Sequence, residues 1–162
     1  MRDLEISKNY YKSNEQLDNA IVTIKVKALE GASIPEYKTS GASGLDICSF
    51  EDGVIPSFDV KLIRTGLYFE IPHYIEGQIR SRSGIALNNK VIVLNSPGTI
   101  DSDYRGELKI ILMNLSKESF YYKKGDRLAQ IVFSKVIKAN LVLVDNVCDT
   151  QRGSGGFGHT GI

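Results

Sequence analysis

From Ile24 onward the chain alternates apolar and charged positions, with Ile24, Val26 and Ala28 set against Lys25 and Lys27. A period of two gives a β-strand one apolar and one wet face. Short runs rich in β-branched, aliphatic or aromatic residues recur at Val60 to Arg64, Leu67 to Ile71, Ile75 to Arg80, Val91 to Leu94, Glu107 to Asn114, Phe120 to Tyr122, Leu128 to Phe133 and Leu141 to Val144. Most are closed within a few positions by Gly, Pro, Asn or Asp. The single helix candidate is short, Ser83 to Asn88. Many short strands with turn signals at this spacing predict an all-β sandwich or jelly roll. Residues 1–20 are polar without an apolar period and read as an irregular N-terminal extension, with the β core over 21–150. Residues 151–162 belong to the same domain, and from Arg152 to Gly161 they run R-G-S-G-G-F-G-H-T-G. A segment half glycine packs poorly as a strand and is expected to be a mobile tail.

Composition narrows the partners. A chain of 162 residues is long enough to bury one hydrophobic core, and no repeat, heptad or linker divides it. Lys and Arg total 20 against 19 acidic residues. No net basic charge is left to drive sequence-independent association with nucleic acid or an anionic membrane, so neither is an expected partner and any anion must be caught locally. Met1-Arg2-Asp3-Leu4-Glu5 places charges where a signal peptide needs an apolar run, and no stretch reaches membrane-spanning length, which predicts a cytoplasmic protein. Cys48 and Cys148 lie far apart in sequence and read as reduced thiols. With His73 and His159 they offer no zinc spacing.

Five polar segments carry candidate chemistry, each with a plainer reading beside it. Gly41-Ala42-Ser43-Gly44-Leu45-Asp46-Ile47 sets a carboxylate at a strand start, or is only a turn. Arg80-Ser81-Arg82-Ser83-Gly84 joins a guanidinium, a hydroxyl and a turn that can bind phosphate oxygens, or is an ordinary N-cap. The polar stretch from Asn95 to Gly106, reading N-S-P-G-T-I-D-S-D-Y-R-G, connects two apolar strands as a hairpin able to accept a planar base, or as a plain surface turn. It imitates a Ca²⁺ loop, but Arg105 and Leu112 stand where ligands are needed. Gly125-Asp126-Arg127-Leu128-Ala129-Gln130 turns into a strand carrying Arg and Gln among apolar residues, or is only a surface strand start. The glycine tail offers open backbone N–H groups to an anion, flanked by Arg152 and Thr160, or is a loose terminus.

Together, A-S-G-L-D-I, R-S-G, G-T-I-D-S-D-Y-R-G, G-D-R-L-A-Q and R-G-S-G-G-F-G-H-T-G resemble, in order and spacing, the five motifs of the trimeric dUTPase family over Ile21 to Gly161. Ser81 departs from a common proline. The resemblance implies a jelly-roll-like β-sandwich that hydrolyses dUTP to dUMP and pyrophosphate with Mg²⁺, supplying dUMP for thymidylate synthesis and limiting uracil in DNA. It implies Asp101 as the base that activates water for attack on the α-phosphorus. Arg82, Ser83, Gly84 and Gln130 would line the phosphates, with Arg152, Ser154 and Thr160 closing over the terminal one. Phe157 would stack on uracil; Asn95, Thr99, Ile100 and the strand near Lys109 would read its edge; Tyr104 would pack on the deoxyribose. Asp46 would reach the metal only through water, leaving no direct metal ligand. Sites would be shared in a homotrimer, with motifs one, two and four from one chain, three from a second and five from a third. A dCTP deaminase-like enzyme and a non-catalytic nucleotide-binding regulator on the same fold are the alternatives.

Overall fold

A computed structural model describes residues 21–156. Among these residues eleven strands and one short helix follow in order: β1 Lys25–Ala28, β2 Leu45–Cys48, β3 Gly53–Ile55, β4 Val60–Arg64, β5 Leu67–Glu70, β6 Ile75–Ser81, α1 Ser83–Asn89, β7 Val91–Val93, β8 Gly98–Ile100, β9 Lys109–Asn114, β10 Phe120–Tyr122 and β11 Arg127–Lys135. All pairings are antiparallel and fall into four small sheets, β1-β5, β10-β3, β2-β11-β6-β8 and β4-β9-β7. The expected all-β, jelly-roll-like architecture is present, and the helix lies where the sequence placed it.

The period of two puts Ile75, Gly77 and Ile79 of β6 on the inner face, and Ile110, Leu112 and Asn114 of β9 likewise. These pack with Ile47, Ile55, Ile63, Leu67, Val91, Val93, Leu128 and Ile131 in one core. Burying a branched aliphatic side chain of this kind contributes about 1.5 to 3 kcal/mol. Asn114 is one of three buried polar residues in the described interior, with Ser49 and Thr65. Its amide donates to the carbonyls of Ile55, Pro56 and Glu118 at 3.0, 3.1 and 2.8 Å, and its Oδ1 accepts from the Ser116 N–H at 2.9 Å. A buried amide so satisfied ties β9 to β3 and to the turn before β10 without a desolvation penalty.

Three elements differ from the sequence expectation. Leu141 to Val144 forms no strand, and Leu141 and Leu143 are 91% and 100% exposed. The run has the composition of a strand, but among the described residues no edge meets its backbone groups, and a strand exists only by pairing. Gly53–Ile55, absent from the expected runs, and Gly98–Ile100, inside the polar connection from Asn95 to Gly106, are strands; at three residues each they are too short to show a period. Among the described residues no helix is long and apolar enough to cross a membrane.

Candidate active site

β6 organises the site, because the polar segments fall at its two ends. At its C-terminal end β11 lies between β2 and β6, with Gln130 opposite both Asp46 and Arg80. This register gathers three segments that are distant in sequence. The Asp46 carboxylate accepts from Arg82 Nε at 2.9 Å and from an Arg127 terminal nitrogen at 3.0 Å, with only 16% of its side chain exposed. A terminal nitrogen of Arg82 donates to the Arg127 carbonyl at 2.6 Å, and the Gln130 amide donates to the Ser81 carbonyl at 3.0 Å. Gly44 packs beside it: a Cβ there would stand 2.6 Å from Gln130 Oε1 and would have to displace the end of that side chain. Two guanidinium groups on one carboxylate leave the cluster with a surplus positive charge. Arg82 is also the N-cap of α1, no side chain caps that helix, and Ser83 and Gly84 form its first turn. Their N–H groups and the two arginines together suit phosphate oxygens.

The other end of β6 has the opposite character. β8 runs antiparallel to β6, pairing Gly98 with Ile79, Thr99 with Gln78 and Ile100 with Gly77, so the chain reaches Asp101 beside Glu76. Asp101 is exposed and lines a cleft of about 270 Å³ with His73, Ile75, Glu76, Ser102, Asp103, Val136 and Lys138. Three carboxylates here face one lysine and one histidine. A strand rises about 3.4 Å per residue, so the six residues from Glu76 to Arg82 hold Asp101 roughly 20 Å from the arginine cluster.

Tyr104, 46% exposed, folds back within the same loop. Its N–H donates to the Asp101 carbonyl at 3.1 Å and its hydroxyl to the Glu107 carbonyl at 3.0 Å. The ring lies on Gly106, where a Cβ would stand 2.5 Å from Tyr104 Cζ. Asn95 is exposed after β7 with its side chain against Gly98, Thr99 is exposed on β8, and Lys109 opens β9 opposite Arg64. Arg152 and Ser154 are exposed, and Arg152 Nε donates to Gly155 of its own turn at 2.7 Å. Phe157 and Thr160 lie outside the described residues, as does residues 1–20, the N-terminal extension. The chain therefore unites Asp46, Arg82, Ser83, Gly84 and Gln130, and separately Asp101 and Tyr104, but not the two groups.

Arg127 and Glu107 complete these groups and were not among the residues assigned from the sequence. Arg127 stands inside G-D-R-L-A-Q, and its pairing with Asp46 follows only from the β2-β11 register. Glu107 accepts from Arg64 Nε at 3.2 Å through both oxygens and from the Gly66 N–H at 2.9 Å, with 9% of its side chain exposed. Burial pushes its pKa up, but the Gly66 N–H, Arg64 and Lys109 outweigh that and hold it below the ordinary 4.5. A carboxyl group lowered on folding contributes stability that is present above its unfolded pKa and lost as pH falls through the folded value. Acid titration of the unfolding midpoint is thus expected to show a loss beginning near pH 4.5 that is shallower in Glu107→Gln; equal slopes would remove Glu107 as its source.

Comparison with known proteins gives this geometry a setting. A family model described as dUTPase matches residues 30–161. The deoxyuridine 5'-triphosphate nucleotidohydrolase of Nautilia profundicola is 51% identical over 139 residues, covering 85% of this chain and 98% of that protein. That of Helicobacter pylori J99 is 48% identical over 140 residues, covering 86% and 97%. Among solved structures, the Staphylococcus bacteriophage 80alpha dUTPase with dUPNHPP superposes with a TM-score of 0.78 at 27% identity, covering 88% of this chain and 100% of that one. A mutant dUTPase from phage phi11 of S. aureus, described as coordinating a structural Mg(II) ion, gives 0.73 at 25% identity, covering 78% and 99%. With a family model matched over 30–161 and relatives about half identical over nearly their whole length, the chain belongs to the dUTPase family.

Proposed function

We propose that the chain hydrolyses dUTP to dUMP and pyrophosphate, a reading supported by near-full-length relatives named for that reaction and carried by the arrangement of charge around β6. An arginine-rich cluster with an uncapped helix start suits the triphosphate, and an exposed carboxylate suits a water. Asp101 accepts the proton of that water as its oxygen attacks the α-phosphorus in line. The bond from the α-phosphorus to the bridging oxygen breaks, and pyrophosphate leaves. Holding water and phosphorus in one geometry removes much of the entropic barrier, and proton transfer to a positioned carboxylate lowers it further. Arg82 and Arg127, preoriented by Asp46, meet the charge that grows on the leaving group without having to reorganise.

The residues present fit Mg²⁺ only as an ion carried by the substrate. Among the described residues no group of three or more His, Cys, Asp or Glu side chains could hold a metal, and Asp46 already accepts from two arginines. Mg²⁺ keeps water ligands and binds readily through phosphate oxygens, so Asp46 would meet it through water. When bound it supplies charge neutralisation at the phosphates. Selection falls to the loop from Asn95 to Tyr104: Asn95 with the backbone of Thr99 and Ile100 and the strand near Lys109 reads the uracil edge, and the Tyr104 ring excludes a 2′-hydroxyl. Arg152, Ser154, Phe157 and Thr160 of the tail close over phosphate and base, with the ring of Phe157 contributing by stacking.

The reading includes a homotrimer with shared sites, and the roughly 20 Å between Asp101 and the arginines supports sharing, because one chain holds the two halves of the chemistry at opposite ends of β6. Two surfaces support it. The outward face of β4-β9-β7 carries Val60 and Leu62 opposite Met113 and Ile111, with Ile92 beside Met113, and Val60 and Leu62 are exposed. Past Val136, Ile137, Leu141, Val142, Leu143 and Val147 are exposed in an arm without strand partners. Neighbouring copies would cover both, and closed three-fold symmetry gives every chain the same contacts. Unpaired Cys48 and Cys148 suit the reducing cytoplasm, where the nucleotide pool is found.

The test is to incubate the protein with Mg²⁺ and each deoxynucleoside triphosphate in turn and separate the products. dUMP and pyrophosphate are expected from dUTP in clear preference to the others. Ammonia from dCTP would favour a deaminase, and intact nucleotide in every case a binding protein; either result overturns the reading.

A further inference from the structure

Between Ile100, which ends β8, and Leu108, whose N–H donates to the Leu67 carbonyl at 2.7 Å, the chain makes no sheet bonds. Inside that loop the hydrogen bonds are local. Tyr104 N–H reaches the Asp101 carbonyl, the Tyr104 hydroxyl reaches the Glu107 carbonyl, and an Arg105 terminal nitrogen donates to the carbonyls of Ser102 and Tyr104 at 2.7 and 3.0 Å. Among the described residues, the hydrogen bonds that fasten this loop to the rest of the protein all run through the Glu107 carboxylate, to Arg64 and to the Gly66 N–H.

We infer that Glu107 is a positioning residue for sugar selection, the anchor that holds the Tyr104 ring, and with it the Asp101 backbone, at one place relative to the bound nucleotide. The inference rests on the roles proposed above for Tyr104 and Asp101. Its geometry is a relay: the β4-β5 turn holds the Glu107 side chain, Glu107 holds the Tyr104 hydroxyl through its carbonyl, and Tyr104 holds the Asp101 carbonyl. The turn is itself fixed, since Thr65 is buried and its hydroxyl donates to the Leu108 carbonyl at 2.6 Å, while the Arg64 guanidinium lies 5.4 Å from the Phe50 ring centre. The carboxylate is mostly buried and paired on both oxygens, so the anchor is rigid where the loop is exposed. A ring that excludes a hydroxyl by contact works only if it cannot swing away. Releasing Glu107 frees Tyr104 to move with its loop, and a displacement of about an ångström at a reacting centre costs up to roughly a hundredfold in rate.

The test compares kcat/KM for dUTP and UTP in the wild type, Glu107→Ala, Glu107→Gln and Arg64→Gln, with the unfolding midpoint and oligomeric state measured alongside. Glu107→Ala is expected to narrow the dUTP-to-UTP ratio by about tenfold or more, with a lower kcat on dUTP. Glu107→Gln keeps an acceptor for the Gly66 N–H and should restore much of the ratio. A role confined to stability would lower the unfolding midpoint and leave the ratio alone. If Glu107→Ala folds and keeps the wild-type ratio, the inference is wrong. If it does not fold, Arg64→Gln, which removes the ion pair on Glu107 and is expected to narrow the ratio, carries the test, and a wild-type ratio there overturns it. A wild-type enzyme that hydrolyses dUTP without preferring it to UTP removes the role of Tyr104 and this inference together, whereas absence of dUTP hydrolysis points to the functional reading itself.

Discussion

Asp101→Asn is expected to lower turnover of dUTP by about a hundred- to ten-thousand-fold, the range over which a positioned general base contributes to a rate. The amide has the shape of the carboxylate and can still hold a water, but it does not accept that water's proton at neutral pH. Asp101 is exposed and makes no side-chain hydrogen bond within the described chain, so its replacement leaves the loop intact; the bond that ties it to Tyr104 uses its carbonyl. The fold, the unfolding midpoint and the affinity for a non-hydrolysable dUTP analogue should therefore stay close to wild type while kcat falls. Such a pattern separates loss of a step in the reaction from loss of binding. Near-normal turnover would assign the base to another group, and Glu76 and Asp103, which share the cleft, would be the residues to replace next.

Much of this arrangement is legible along the chain, for reasons that lie in particular residues. Strands such as Ile75–Ser81 and Lys109–Asn114 alternate clearly because one face of each lies in the core, so a period of two is written into them. The short helix after Arg82 and the carboxylate at the start of β2 follow from glycines and polar residues at fixed offsets. Harder to read are contacts set by register. That Asp46 meets Arg127 as well as Arg82 depends on which residue of β11 faces β2, where the pairing shifts between Arg127 and Ala129. A single chain of letters does not contain that irregularity. Glu107 is similar, since its partners Arg64 and Gly66 lie some forty positions away and nothing local marks it. Leu141 to Val144 fails for a different reason. Its composition favours a strand, yet among the described residues no partner edge meets it, and its leucines and valines stand in solvent.

That missing partner leads to the sharpest test of assembly, which mixes two damaged chains. Asp101→Asn removes the base and leaves the arginine cluster whole, while Arg82→Ala removes a phosphate contact some 20 Å away and leaves the Asp101 loop whole. Asp46 in the second variant still has Arg127 at 3.0 Å, so the β2-β11 pairing is not stripped of its ion pair. Each variant alone should be nearly inactive, because every site in either homotrimer lacks one group. If a site takes Asp101 from one chain and Arg82 from another, random mixing of equal amounts restores both groups in roughly a quarter of sites, by the symmetry of a closed ring. If both came from one chain, mixing would restore none. The experiment refolds or co-expresses the two variants with different affinity tags, isolates trimers that carry both tags, and measures dUTP hydrolysis. Activity well above the sum of the separate variants, rising with the mixed fraction, is the expected outcome. Verified mixed trimers that stay as inactive as their parents would mean that Asp101 and Arg82 of one site come from the same chain, and the shared-site proposal would have to be abandoned.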